Sequence, residues 1–195
     1  MDRQAEINRK TNETDIEVRL NLDGSGKSRI ATGIGFFDHL LQSFCKHGNF
    51  DLDVAAKGDL HIDGHHTVED VGIALGLAFA KAVGDGAGIT RFGHAYCPLD
   101  EALARSVVDI SGRPFLNFEC PVSFGRIGEF EGELYEEFVR GFVVNARITA
   151  HLTLLAGKNQ HHILEAMTKS LARALRMAVA IDSKQTGIPS TKGVL

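Results

Sequence analysis

The sequence repeats one short motif at two places, and this repeat limits the possible fold more than any other feature. His65-His66-x-x-Glu69 recurs as His161-His162-x-x-Glu165, 96 positions later. Each copy lies where a strand-like alternation gives way to helical periodicity. Because one such unit cannot bury its apolar face alone, two similar halves related by a pseudo-twofold axis are predicted. We place the boundary between residues 1–88 and 89–195.

The first half is predicted to run hairpin, helix, strand, helix. Residues 15–22 and 27–31 flank the turn-forming cluster at 23–26, which is typical of an antiparallel hairpin. In the following residues the spacing of apolar side chains changes between a period of 3.6 residues, typical of a helix, and a period of two residues, typical of a strand. It predicts a helix at 37–47, a strand at 50–63 and a helix at 66–83.

The second half is predicted to repeat this order. Strands at 106–110 and 115–118 would form a hairpin around the turn at 111–114. They are followed by a helix at 134–147, a strand at 149–155 and a helix at 162–180. The predicted fold class is therefore α+β, an internally duplicated two-layer sandwich of sheet and helices.

The repeated motif has the spacing of a chelating group. On a helix, residues four apart lie on one face, so the first histidine and the glutamate of each motif can bind one metal ion. The second histidine projects about 100° away and is predicted to bind a different ion. A histidine at a helix start can also cap the helix or face solvent. Its recurrence at equivalent places in the two halves favours metal binding.

Two further ligands are predicted on the shorter helices. His39 lies 98 positions before Glu137, close to the offset of the repeat. A mixed set of imidazole and carboxylate ligands without cysteine suits an octahedral ion such as manganese, Mn²⁺, better than a tetrahedral structural zinc. Iron and zinc remain alternatives.

Composition excludes several classes of partner. The formal charge is −4, with acidic and basic residues in mixed order, so no basic stripe is available for nucleic acid. No apolar run approaches the roughly 20 residues that cross a bilayer, and the polar start does not resemble a secretory signal. The three cysteines are far apart, as expected for reduced, buried side chains. We therefore expect a cytoplasmic protein that binds neither membrane nor nucleic acid.

Several segments closely resemble one enzyme family, the imidazoleglycerol-phosphate dehydratases. These segments are GIGFFDHLL, DGHHTVEDVGIALG, RFGHAYCPLDE, DISGRP, NQHHILEA and PSTKG, which span nearly the whole chain. The resemblance implies halves like the second domain of ribosomal protein S5, and two Mn²⁺ ions per active site with ligands from different subunits. The implied ligands are His39, His65, His66, Glu69, Glu137, His161, His162 and Glu165. Many members of the family have histidine where this chain has Glu137.

The resemblance also implies the reaction. The family removes water from D-erythro-imidazole glycerol phosphate to give imidazole acetol phosphate in histidine biosynthesis. A cation bound to the substrate ring would stabilise its anionic form, so a metal-bound imidazolate can expel the hydroxyl group. Glu165 and Glu69 are both candidates for the general base, and Glu165 is preferred. By resemblance, Glu13 and Asp100 lie near the substrate hydroxyls.

The substrate phosphate requires cations and hydrogen-bond donors. The resemblance assigns this role to Arg91, Arg113, Lys169, Ser190 and Lys192, so that the second half ends in a phosphate-binding tail. His47 and His94 are further candidates for lining the pocket.

Two other functions are compatible with the ligand set alone. One is a hydrolase that uses a metal-bound hydroxide, and the other is a non-enzymatic protein of metal storage or metal-templated assembly. The repeated faces predict a symmetric oligomer. The resemblance implies a 24-mer built from trimers joined by metal, and an enzyme without the phosphatase domain that is fused to some relatives.

Overall fold

A computed structural model describes residues 3–195 as two halves with the same order of elements, which confirms the predicted α+β duplication. The first half contains β1 (Gln4–Lys10), β2 (Thr14–Asn21), β3 (Ser28–Ala31), α1 (Gly35–Gly48), β4 (Asp51–Gly58) and α2 (His65–Val83). The second contains β5 (Phe92–Leu99), β6 (Ala102–Asp109), β7 (Phe115–Glu119), β8 (Arg126–Ile127), β9 (Phe130–Glu131), α3 (Leu134–Ala146), β10 (Thr149–Ala156) and α4 (Gln160–Ala178). The short β8–β9 hairpin is an insertion in this common order. The boundary between residues 88 and 89 stays a prediction.

The sheets have equivalent strand orders, β1-β2-β4-β3 and β5-β6-β10-β7. The predicted hairpin between 15–22 and 27–31 is wrong, because β3 pairs in parallel with β4 and β2 pairs with β1. The cluster at 23–26 does not close a tight turn. Instead, the backbone N–H groups of Ser25 and Lys27 donate to Asp51 at the start of β4, at 2.8 and 2.9 Å.

The same correction applies to the second half. The predicted hairpin between 106–110 and 115–118 is wrong, because β7 pairs in parallel with β10 while β6 pairs with β5 and β10. Sequence reasoning missed β1 and β5, which are both edge strands. Half or more of the side chains in each are exposed, and β5 also contains Pro98, so neither has a strong apolar alternation.

The four helices lie within two residues of their predicted ends. The predicted strand at 50–63 is shorter than expected, since β4 ends at Gly58 and a turn leads into α2. At the start of α4 the Asn159 side chain accepts hydrogen bonds from the backbone N–H groups of His161 and His162. Within residues 3–195, no helix is long and apolar enough to cross a membrane.

The helices pack in pairs that join the two halves, α1 with α4 and α2 with α3. Glycines allow α2 and α3 to pack so closely that the backbone of one helix contacts the backbone of the other. A Cβ added at Gly72 would lie 2.4 Å from the carbonyl oxygen of Phe138, and one at Gly76 would lie 2.5 Å from that of Phe142. The helix starts that carry the repeated motif are therefore set by packing between the halves.

We expect Gly72→Ala to destabilise the protein by about 1–3 kcal/mol, because the added methyl group has no space against a backbone carbonyl. Urea unfolding measures the change. Gly35→Ala is the matched control, since nothing lies within 4 Å of a Cβ at that position. Equal unfolding midpoints for the two variants would show that the α2–α3 contact is looser than described.

Candidate metal centre

Three of the predicted ligands converge where α1 meets α4. The Nε2 atoms of His39 and His161 lie 2.7 and 2.9 Å from the same carboxylate oxygen, Oε1 of Glu165. One ligand atom from each residue lies within 4.8 Å of the other two. Both imidazoles are half-exposed, whereas the carboxylate is largely buried. This α1–α4 triad has the donor atoms and the solvent access that a divalent cation requires.

Lys169 extends the α1–α4 triad along α4. Its Nζ lies 2.5 Å from Oε2 of Glu165. Partial burial acts to raise the pKa of Glu165, but hydrogen bonds from Lys169, His39 and His161 outweigh it and lower the pKa to about 2. The carboxylate is therefore ionised at neutral pH, as a metal ligand must be.

The corresponding group of the first half is less compact. Nε2 of His65 lies 3.7 Å from Oε2 of Glu69. The carboxylate of Glu137 lies 3.8 Å from Nε of Arg140 on its own helix. Within residues 3–195, the α1–α4 triad is the single set of three such residues with ligand atoms this close. The ligand role of Glu137 stays a prediction.

The second histidines have nearly identical surroundings in the two halves. In both motifs the adjacent imidazole rings have centroids 6.1 Å apart and planes at 85°. Nδ1 of His66 lies 2.9 Å from Asp59, and Nδ1 of His162 lies 2.8 Å from Glu101. Sequence reasoning missed both carboxylates. They occupy non-equivalent places in the repeat, so its offset could not reveal them.

The predicted residues Glu13 and Asp100 lie next to these histidines. Each is in the turn of its half's first hairpin, β1–β2 or β5–β6. Their carboxylates lie 3.8 and 3.9 Å from Nε2 of His66 and His162, respectively. Asp70, a buried carboxylate on α2, holds the first of these turns by accepting a hydrogen bond from Thr14. The turns thus place one carboxylate beside each second histidine.

The predicted phosphate-binding residues are divided between two regions. Lys169 contacts Glu165 of the α1–α4 triad, whereas the N–H group of Arg91 donates to the carbonyl of Ala178. That carbonyl is about 20 Å along α4 from Glu165, at 1.5 Å per residue. Ser190 and Lys192 lie in the tail that docks beside Arg91. The structure of one chain therefore does not bring the tail to the triad.

Arg91 and Arg113 have contacts of their own. The guanidinium of Arg91 donates to Asp109 at 2.7 and 3.1 Å and to the carbonyl of Pro189 at 2.8 Å. The guanidinium of Arg113 makes one long contact, 3.4 Å, to the carbonyl of Ser111, and its backbone N–H donates to Oγ of Ser111 at 3.2 Å. Arg91 thus links Asp109 on β6 to the C-terminal tail at Pro189, so a phosphate that binds here would have to share this arginine.

The two further histidines lie in different surroundings. Burial, together with the nearby charges of Lys169 and Arg173, lowers the pKa of His47. His47 lies in the last turn of α1, the helix that packs against α4. His94 instead lines a separate surface depression with Tyr96, Arg173 and Arg176.

The duplicated fold and its imidazole–carboxylate groups define a class, the α+β proteins with a metal-binding centre of histidine and glutamate. A family model described as imidazoleglycerol-phosphate dehydratase matches residues 32–175, and the chain belongs to this family. The proteins of that name from Gluconacetobacter diazotrophicus and Thermoanaerobacter pseudethanolicus are each 61% identical to it. The matches cover 99% of this chain and 98% and 100% of theirs.

Solved structures agree with this assignment. Imidazoleglycerol-phosphate dehydratase from Staphylococcus aureus superposes with a TM-score of 0.83 at 39% identity, covering 92% of this chain and 99% of that one. The Pyrococcus furiosus enzyme, in complex with (S)-C348, also gives 0.83 at 39% identity, covering 97% and 100%. The chain is thus a hydro-lyase of histidine biosynthesis, from a family of metal-dependent dehydratases. A hydrolase or a non-enzymatic storage protein does not fit this family.

Proposed function

We propose that the dehydration uses two Mn²⁺ ions per active site, held by the histidines and glutamates of the repeated motifs together with His39 and Glu137. The observation that carries this proposal is the convergence of His39, His161 and Glu165. Their two nitrogens and one ionised oxygen are ligands that Mn²⁺ accepts. When bound, the cations supply positive charge that stabilises the deprotonated imidazole ring of the substrate.

The protein's own side chains then accept the proton and bind the substrate hydroxyl groups. A carboxylate beside the ring accepts the proton from carbon, and Glu165 and Glu69 remain the two candidates. The carboxylate of Glu165 is held by His39, His161 and Lys169. Glu69 is the freer of the two, since its side chain is 43% exposed. Glu13 and Asp100 are proposed to bind the hydroxyl groups.

We further propose that each active site is shared between protomers of a cytoplasmic 24-mer built from trimers. Two observations support sharing. The tail docks beside Arg91, whose backbone N–H donates to Ala178, and Ala178 lies about 20 Å along α4 from Glu165 by the rise of the helix. The second histidine of each motif also projects about 100° from the first around the helix axis, since an α-helix has 3.6 residues per turn. A neighbouring protomer could supply the missing groups in both cases.

Mixing two inactive variants tests the shared site. We expect His161→Ala and Arg113→Ala to be nearly inactive when each is assembled alone. Co-assembled at equal ratio, they should regain about a quarter of wild-type turnover, because a random mixture gives that fraction of sites with two intact contributions. The assay is dehydration of imidazoleglycerol phosphate by the co-expressed assembly.

A second mixture is the control. His161→Ala with Glu165→Gln should regain no activity, since both changes affect the same contribution to the site. If neither mixture regains turnover, the triad and the phosphate-binding residues act within one protomer, and the proposal of a shared site is wrong.

A further inference from the structure

We propose that Asp59 and Glu101 are positioning residues that decide which ring nitrogen of His66 and His162 is free to bind a metal ion. This rests on the proposed function, in which both histidines are ligands. Each carboxylate lies within hydrogen-bond distance of Nδ1, at 2.9 Å for His66 and 2.8 Å for His162. Neither carboxylate belongs to the predicted ligand set.

The chemistry of neutral imidazole makes this contact decisive. The ring has one N–H group and one lone pair, on different nitrogens. A carboxylate that accepts from Nδ1 keeps the proton there and leaves the lone pair on Nε2, directed away from the carboxylate. The carboxylates of Glu13 and Asp100 are 3.8 and 3.9 Å from the two Nε2 atoms, too far for hydrogen bonds. Both Nε2 atoms therefore have the geometry of available ligands.

The two halves reach this geometry by different routes. Asp59 follows the end of β4, whereas Glu101 lies in the turn between β5 and β6. The duplication alone would have placed the two carboxylates at equivalent positions. That non-equivalent residues contact the same ring nitrogen at similar distances, 2.9 and 2.8 Å, indicates that the histidines themselves require this contact.

The two carboxylates are held differently, so we expect amide substitutions at the two positions to have different effects on metal affinity. Oε1 of Glu101 accepts the backbone N–H groups of Lys158 and Asn159, at 3.1 and 2.7 Å, so Oε2 must face His162. Oδ1 of Asp59 is buried and has no hydrogen-bond partner within residues 3–195. Asp59 therefore lacks the two backbone donors that fix the orientation of Glu101.

In Glu101→Gln, the amide oxygen should stay on the two backbone N–H groups. The amide N–H group then faces Nδ1 and moves the ring proton to Nε2, the nitrogen that must bind the metal. We expect metal affinity to fall about 10- to 100-fold, the usual range for loss of such a partner. In Asp59→Asn no pair of backbone donors fixes the amide, so its oxygen can turn to His66, and we expect a smaller loss than in Glu101→Gln. Asp59→Ala, which cannot accept, should resemble Glu101→Gln.

Metal affinity is measured by adding chelator to Mn²⁺-loaded protein and recording the ion released. The tautomer of His162 is read from ¹⁵N chemical shifts of histidine-labelled, full-length protein after chelation. Asp53→Asn is the matched control, because this carboxylate lies on β4 and pairs with Arg29 instead of a histidine. It should change neither reading.

Two results would overturn the proposal. One is wild-type affinity in Glu101→Gln, and the other is a loss of affinity with Nδ1 still protonated, which would indicate a merely structural role. Asp59→Ala gives an independent test if Glu101→Gln does not fold. His162→Ala distinguishes a failure of the proposed ligand set from a failure of the positioning role. If His162→Ala leaves metal affinity unchanged, the proposed ligand set fails. If it lowers metal affinity but Glu101→Gln does not, only the positioning role is refuted.

Discussion

Glu165→Gln is expected to lower kcat for dehydration by about 10³-fold, the middle of the range for loss of a general acid or base. The amide has the size of the carboxylate but no negative charge. It would weaken the binding of a cation and also fail to accept a proton. Glu165 contacts His39 and His161 through one oxygen and Lys169 through the other. Since it is the one carboxylate of the α1–α4 triad, no other member of the triad can replace it.

Steady-state turnover and bound metal should be measured together for this variant. Glu69→Gln tests the alternative base, and Glu6→Gln, an exposed carboxylate on β1 that pairs with Arg19, is the control for the amide substitution. If Glu165→Gln keeps its metal but loses turnover, Glu165 is the proton acceptor. If its kcat stays within tenfold of wild type, the triad is not the catalytic centre.

Removal of metal is expected to abolish activity. A bound cation contributes several kcal/mol of charge stabilisation, so turnover should fall at least about 100-fold after dialysis against chelator. Addition of Mn²⁺ in excess of the chelator should restore it. The measurement is dehydration of imidazoleglycerol phosphate before chelation, after it and after metal return, with zinc and iron compared in the last step.

Two controls separate metal loss from other effects. Chelator already saturated with Mn²⁺ should leave turnover unchanged, which excludes inhibition by the chelator itself. Light scattering on the same samples follows assembly, and we expect smaller particles without metal because the proposed ions join protomers. Equal activity in chelated and metal-restored samples would refute the metal mechanism.

The sequence predicted the helices well because their signals are local. The apolar positions of α1 and α4 follow the period of 3.6 residues, and α4 begins at an Asn159 cap that neighbouring residues supply. The strand pairings failed for the opposite reason. Two alternating segments joined by a turn cluster suggest a hairpin, but the partner of β3 is β4, which follows it after a whole helix.

The candidate site shows the same division. The spacing of each HHxxE motif determined which side chains share a helix face, since that depends only on helical geometry. Residues far apart in sequence required the fold. His39 meets Glu165 across 126 positions, and Glu101 reaches His162 across 61.

By itself, then, the sequence determined the duplication, the helices and the residue types of the metal centre, because each depends on the order and period of neighbouring residues. Tertiary structure decided the strand partners, the meeting of α1 with α4 and the carboxylates behind the second histidines. These contacts depend on how the two halves pack, and packing is set by many distant residues at once. No local sequence pattern predicts how the two halves pack.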